Sequence, residues 1–153
     1  MMTPEEKITQ LGLTLPPVPE PAGLYQPVVV SGKLAFLSGQ ISKDASGKVL
    51  AGKVGGGLSL AEGQAAARLA ALNALGVMKH RVGFENIQRI VKMTGFVQTA
   101  PDFYGIPAVV NGASELLVEV FGDAGTHARS AVGMSSLPLN AAVEIELILE
   151  LKA

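Results

Sequence analysis

Hydrophobic and polar residues alternate strictly over residues 143–151. Val143, Ile145, Leu147, Leu149 and Leu151 share one side, and Glu144, Glu146 and Glu150 the other, the period of two that marks a half-buried strand. A second strand is expected over 128–134, separated from the first by the turn-forming run Ser135-Ser136-Leu137-Pro138-Leu139-Asn140. Upstream, Val28-Val29-Val30 and Leu34-Ala35-Phe36-Leu37-Ser38 flank Ser31-Gly32-Lys33 and read as a hairpin. Residues 87–99 predict one more strand, with Val91, Met93, Gly95 and Val97 alternating.

The helical period governs two other stretches. Ser59-Leu60-Ala61-Glu62 is a capping box, which opens a long helix ending near Arg81 with Gly83 as its stop. Its expected buried stripe is Ala61, Ala65, Leu69, Leu72, Leu75 and Gly76. Residues 107–121 predict a second helix, with Val109, Ala113, Leu116, Leu117 and Val120 inward and Glu115 and Glu119 outward. Between hairpin and first helix, residues 39–57 read as an irregular loop. The order is therefore β-β-α-β-α-β-β: an α+β sandwich, with both helices on one face of a mixed sheet. The first 24 residues read as an extension to a domain of residues 25–153. Thr3, Pro4 and Glu6 start a short helix, and Leu15-Pro16-Pro17-Val18-Pro19-Glu20-Pro21 forms an extended strap.

Composition narrows the functional classes. The 153 residues contain no cysteine, which excludes disulfides, thiolate metal sites and cysteine catalysis. With two histidines, no metal site is expected. A net charge of −1 argues against a dedicated nucleic-acid binder, and no Lys/Arg stripe is present. Only 16% of residues are charged and mean hydropathy is +0.38, so part of the surface is expected to be hidden against copies of the chain. No apolar run approaches the ~18 residues of a membrane span. The acidic Met1–Glu6 segment lacks a signal-peptide pattern, so a cytoplasmic location is expected.

Candidate chemistry is sparse. Gly52-Lys53-Val54-Gly55-Gly56-Gly57 fails as a phosphate loop, because no strand precedes it and no Lys-Ser/Thr pair follows its last glycine. His80, in Lys79-His80-Arg81, suits a helix C-terminus. His127 reads as a solvated residue at a loop end, with an auxiliary role left open. Arg129 needs a reason to open a strand of small residues. Its guanidinium fork matches a carboxylate, and on chemistry alone a salt bridge to a C-terminal glutamate is favoured.

Ala128-Arg129-Ser130-Ala131-Val132, then Leu137-Pro138, then Val143-Glu144-Ile145-Glu146 resembles the C-terminal signature of the YjgF/RidA family. Tyr25 and Ser38-Gly39-Gln40 resemble its N-terminal hairpin, and Asn111 matches an asparagine of its second helix. The resemblance covers roughly residues 22–153. It implies a chorismate-mutase-like fold assembled as a homotrimer with clefts between subunits. It also implies hydrolysis of reactive 2-imino or enamine acids to 2-keto acids and ammonia, as in 2-iminobutanoate/2-iminopropanoate deaminases, with no cofactor. Arg129 would hold the substrate carboxylate and Glu144 would activate water. Tyr25, Ser38, Asn111 and the Ala131 backbone would line the cleft. Ala131 stands where many members have cysteine, and Gly133 replaces a common acidic residue; with the strap and the Gly52–Gly57 insertion, these mark a divergent branch. Some members are described as ribonucleases or translation inhibitors acting on single-stranded RNA, and a non-catalytic carboxylate-binding trimer is a third reading. If the last two strands pair around Pro138 and Leu139, Gly133 faces Glu144 and Arg129 faces Ile148. That spacing sets Arg129 and Glu144 about 13–14 Å apart along the ladder, so one site would draw them from different chains.

Overall fold

The computed structural model describes residues 2–21 and 23–153. Thr3 caps α1 (Pro4–Gln10) through a capping box with Glu6, and α1 inserts Ile8 into the core. After the strap come β1 (Val28–Ser31) and β2 (Leu34–Ile41), paired antiparallel. Then follow α2 (Leu60–Val77), β3 (Ile87–Gln98), α3 (Ile106–Phe121), β4 (Ala128–Met134) and β5 (Val143–Leu151). The sheet order is β1-β2-β5-β3-β4, with β3 and β4 parallel and the other neighbours antiparallel. Both long helices cover one face, the mixed α+β arrangement of chorismate-mutase-like folds.

The strand pairing corrects the hairpin expected for the last two strands. The helix α3 lies between β3 and β4, and such a crossover returns the chain parallel to the strand it left. β4 therefore pairs with β3, Arg129 beside Met93 and Val132 beside Phe96. β5 takes the other side of β3, Leu147 beside Met93 and Glu144 beside Phe96. Arg129 does not face Ile148, nor Gly133 Glu144.

The buried face of α2 also differs. Gly63, Ala66, Ala67, Ala70, Ala71, Ala74, Leu75, Gly76 and Val77 are buried, which includes Leu75 and Gly76 of the expected stripe, whereas Ala61 and Ala65 are exposed and Leu69 and Leu72 half-buried. Small side chains bring the helix axis close to the sheet, and the larger leucines flank that contact. Helix α2 ends at Val77 in a π-turn over Met78–Val82, and Gly83 leaves it with φ +89°. The expected loop over 39–57 begins later, because β2 runs through Ser38-Gly39-Gln40 to Ile41. Bridges Lys43–Val49 and Ala51–Ala141 then pin it. Helix α3 buries Val109, Ala113, Leu116, Leu117 and Val120 as its periodicity predicts.

The two long helices meet at Gly112, where an added Cβ would collide with the Gln64 carbonyl oxygen and lie 2.9 Å from its carbon. Alanine favours a helix by about 1 kcal/mol over glycine, but backbone cannot yield as a side chain can. Gly112→Ala is expected to destabilise by about 1–3 kcal/mol, read as a lower urea midpoint. Gly57→Ala, with nothing within 4 Å of the added Cβ, should leave the midpoint unchanged.

Candidate functional site

Arg129 and Ala131 stand on the edge strand β4, in the same cross-strand rows as the core residues Met93 and Gly95. Their side chains therefore point to the helix layer. There α3 receives the guanidinium: Nη1 donates to Asn111 Oδ1 at 2.9 Å and Ser114 Oγ at 3.1 Å, and Nη2 to the Pro107 carbonyl at 3.4 Å. Both Nη1 protons are thus engaged by neutral acceptors. The Nε edge, which with the second Nη2 proton forms a carboxylate-binding fork, has no partner among the described residues. The one ion pair among them joins Arg68 and Glu119, so the expected bridge from Arg129 to a C-terminal glutamate does not form.

A relay fixes this arrangement. His127 Nδ1 lies 2.6 Å from the Gly125 carbonyl, and its Nε2 lies 3.0 Å from Ser114 Oγ. A carbonyl can only accept, so Nδ1 carries the proton. In the neutral ring Nε2 accepts the Ser114 hydroxyl, leaving that oxygen's lone pairs for Arg129. His127 is half-buried and bonded on both nitrogens, not a solvated loop-end residue. Neither its role nor that of Ser114 is legible in the sequence, since thirteen positions of chain separate them.

Glu144 sits elsewhere. Its row contains Phe96 and Val132, so it belongs to the face turned away from the helices, with Glu146. Arg129 and Glu144 are two strands and three residue steps apart, about 14 Å in the plane of the sheet, and on opposite faces. One protomer does not bring them together.

Around Glu144, a register shift in β2 between Leu37 and Gln40 marks a bulge. Gly39 within it leaves room for the glutamate: an added Cβ would lie 2.9 Å from Glu144 Cδ. Burial pushes the Glu144 carboxyl above its ordinary value, and the neighbouring Glu146 charge adds to this. Ser38 donates its hydroxyl to the Gln26 carbonyl at 2.6 Å, which holds the approach to β1, and hence Tyr25, against the bulge. Tyr25, Gly39, Asn73, Leu139 and Glu144 line a cleft of about 560 Å³; Ser38 lies beside it. Leu139 and Asn140 have φ of +57° and +59°, a costly conformation for residues with a Cβ. The buried Gln98 holds them: its Nε2 donates to Asn140 Oδ1 at 2.7 Å and to the Gly52 carbonyl at 2.9 Å, and its Oε1 accepts from Leu137 N at 2.7 Å.

The chain thus presents two separate clusters. One, at the β4 edge, combines Arg129, Asn111 and Ala131 with Ser114 and His127. The other, where β2 ends and β5 begins, combines Tyr25 and Glu144 beside Ser38. Among the described residues no cluster of three or more His, Asp or Glu side chains could hold a metal, and no helix is long and apolar enough to cross a membrane.

A family model described as "YjgF/chorismate mutase-like, putative endoribonuclease" matches residues 5–151. The chain belongs to the YjgF/RidA family. The match takes in most of α1 and the whole strap. Protein TCP17 of Trypanosoma cruzi is 41% identical over 146 residues, 94% of this chain and 91% of that one. The crystal structure of an Agrobacterium tumefaciens protein, described as of unknown function, is 42% identical with a TM-score of 0.89, covering 99% and 94% of the two chains. That of a Shewanella oneidensis protein, described as a putative endoribonuclease, is 35% identical with a TM-score of 0.93, covering 97% and 99%. The RidA of a Psychrobacter species is similar at 26% identity and a TM-score of 0.59, over 87% and 93% of the chains.

The raised Glu144 carboxyl has a consequence for stability. A carboxyl that holds its proton more tightly when folded loses stability as pH rises from its unfolded value through its folded one. Glu144→Gln removes that loss. The variant is expected to have a higher urea midpoint than the parent at pH 7.5, with the difference vanishing near pH 4. An equal midpoint at both pH values would contradict the burial described.

Proposed function

We propose that the protein hydrolyses reactive 2-imino acids, and the enamines that tautomerise to them, to 2-keto acids and ammonia, at sites shared between subunits of a homotrimer. The observation that carries this reading is Arg129: a guanidinium held by three neutral acceptors, with no carboxylate partner and one forked edge unpartnered among the described residues. Such a group suits a small ligand's carboxylate. Asn111, anchored on α3, orients it, and the Ala131 backbone lies two residues along the same edge.

Glu144 supplies the proton transfers. A protonated imine is already electrophilic, so the barrier falls mainly by activating one water. Glu144 accepts a proton as the water oxygen bonds to C2, giving a carbinolamine. It then returns the proton to nitrogen, the C–N bond breaks, and the hydroxyl proton leaves as the carbonyl forms. Protonated imine and water become keto acid and ammonium. A carboxyl raised by burial exchanges a proton more readily near neutrality. Tyr25 closes one side of the cleft, and Ser38 fixes the turn that carries it.

Assembly supports the shared site. The face of the sheet bearing Glu144 also exposes apolar residues, among them Phe36 at 41% and Val132 at 41%, with Ile148 half-buried beside Phe36. Light scattering should report about 47 kDa, three times 15.8 kDa; a persistent monomer would contradict the reading. The names of the relatives also point to RNA, whose phosphates Arg129 would equally attract. Turnover decides between the readings. Arg129→Lys keeps the charge but loses the fork, and imine hydrolysis should fall at least tenfold, about 1.4 kcal/mol of transition-state binding. Glu144→Gln should lose about 10²–10⁴-fold in single-turnover rate while still binding pyruvate, and Glu150→Gln should be nearly silent. Binding without turnover in the parent would leave a carboxylate-binding protein, and cleavage of single-stranded RNA abolished by Arg129→Lys would favour the nuclease.

A further inference from the structure

In the single chain, before a second subunit brings Arg129 to it, the cleft beside Glu144 has a volume of about 560 Å³, within the range of about 300–1,000 Å³ that accommodates ligands larger than a three-carbon imino acid. Part of its wall does not come from the sheet and helices. Val18, Pro19, Glu20 and Pro21 of the strap join Pro138 and Leu139 in lining it; of these six only Glu20 is charged, and Lys43 and Glu144 are the other charged residues of the lining. We infer that the strap is the specificity wall of the site, and that it selects 2-imino acids with bulky apolar side chains, branched or aromatic, over three- and four-carbon ones.

The strap is built to be a stiff wall. Four prolines among seven residues fix φ and favour an extended chain. Upstream it is tethered by α1, whose Ile8 is buried. It is seated on α2 where Pro16, itself buried, passes over Gly76. The Pro16 carbonyl oxygen lies 2.8 Å from the position a Cβ at Gly76 would take, and the three nearest atoms there all belong to Pro16. A glycine in mid-helix is unfavourable without such a reason, and here the reason is the strap. Val18 then packs on the core's margin and reaches the cleft. Each methylene that packs or fails to pack in an apolar pocket changes discrimination by about tenfold or more.

Gly76 also provides the test, because alanine there favours the helix and the atoms nearest its Cβ all belong to the strap. Val18→Ser is a second, surface variant that leaves the seat intact. The inference rests on the hydrolytic reading for its substrate, so binding and turnover are measured separately. Calorimetry compares pyruvate, 4-methyl-2-oxopentanoate and phenylpyruvate, and single-turnover hydrolysis compares the imines of the same acids. The parent should bind one or both bulky acids at least tenfold more tightly than pyruvate. Gly76→Ala and Val18→Ser should each lose at least fivefold of that preference, while Gly76→Ala keeps its pyruvate affinity. Equal affinities for all three acids, no binding of any, or a preference unchanged in both variants would overturn the inference. A preference lost in the variants with no imine turnover in the parent would uphold the wall and overturn the hydrolysis.

Discussion

The placement of β3 between β4 and β5 governs the chemistry available to this chain. Side chains alternate across a sheet, and the registers at β3 are fixed by a buried row, Arg129–Met93–Leu147, and a surface row, Val132–Phe96–Glu144. A slip of one residue between β3 and β5 would expose Met93, or Ile145 and Leu147, so the core holds that register and turns Glu144 away from the helices. β4 buries none of its own residues, and Arg129 is held toward the helices by its row beside Met93 and its bonds to Asn111 and Ser114. A cation that suits a carboxylate and a carboxyl that suits proton transfer are made by one chain and kept apart by its fold. Under the proposed hydrolysis their cooperation requires a second copy, and the apolar residues beside Glu144 offer that copy a surface to cover.

Around Glu144, room and orientation come from the backbone. Gly39 admits the Glu144 carboxyl against the bulge, and Gln98 holds Leu139 and Asn140 in left-handed conformations at the cleft. Removing Gln98 would leave Leu137 N and the Gly52 and Asn140 oxygens without their shared partner, the cost that a buried amide avoids at this position. On the other side, His127 and Ser114 hold one nitrogen of Arg129 so that its opposite edge stays open.

Local patterns carried much of this into the sequence. The alternation of β5, both capping boxes and the inward stripe of α3 are short-range signals, and each specifies its element where it is found. Arg129 was conspicuous because a large cation opened a run of small residues. The features that no local pattern carries depend on contacts between distant segments. No local signal shows that β3 enters between the last two strands. In α2, alanines face the sheet because close approach matters more than side-chain size, and a stripe at helical spacing through Ala61, Ala65, Leu69 and Leu72 follows the flank instead. Ser114, His127, Gln98 and the seat of Pro16 on Gly76 are likewise pairings across 13 to 60 positions of chain. The glycines at 39 and 76 were the available clue, since glycine inside a strand or helix signals close approach.

The shared site is tested most directly by mixing two damaged proteins. Arg129→Lys and Glu144→Gln subunits are each prepared alone, unfolded together in equal amounts, refolded, and assayed for imine hydrolysis. If each site takes Arg129 from one subunit and Glu144 from another, random assortment restores about one quarter of the sites to full composition. Activity should then rise to about a quarter of that of the identically refolded parent, well above either variant refolded alone. Activity in the mixture no greater than the average of the two variants, with mixed assemblies shown to have formed, would contradict a site built across subunits.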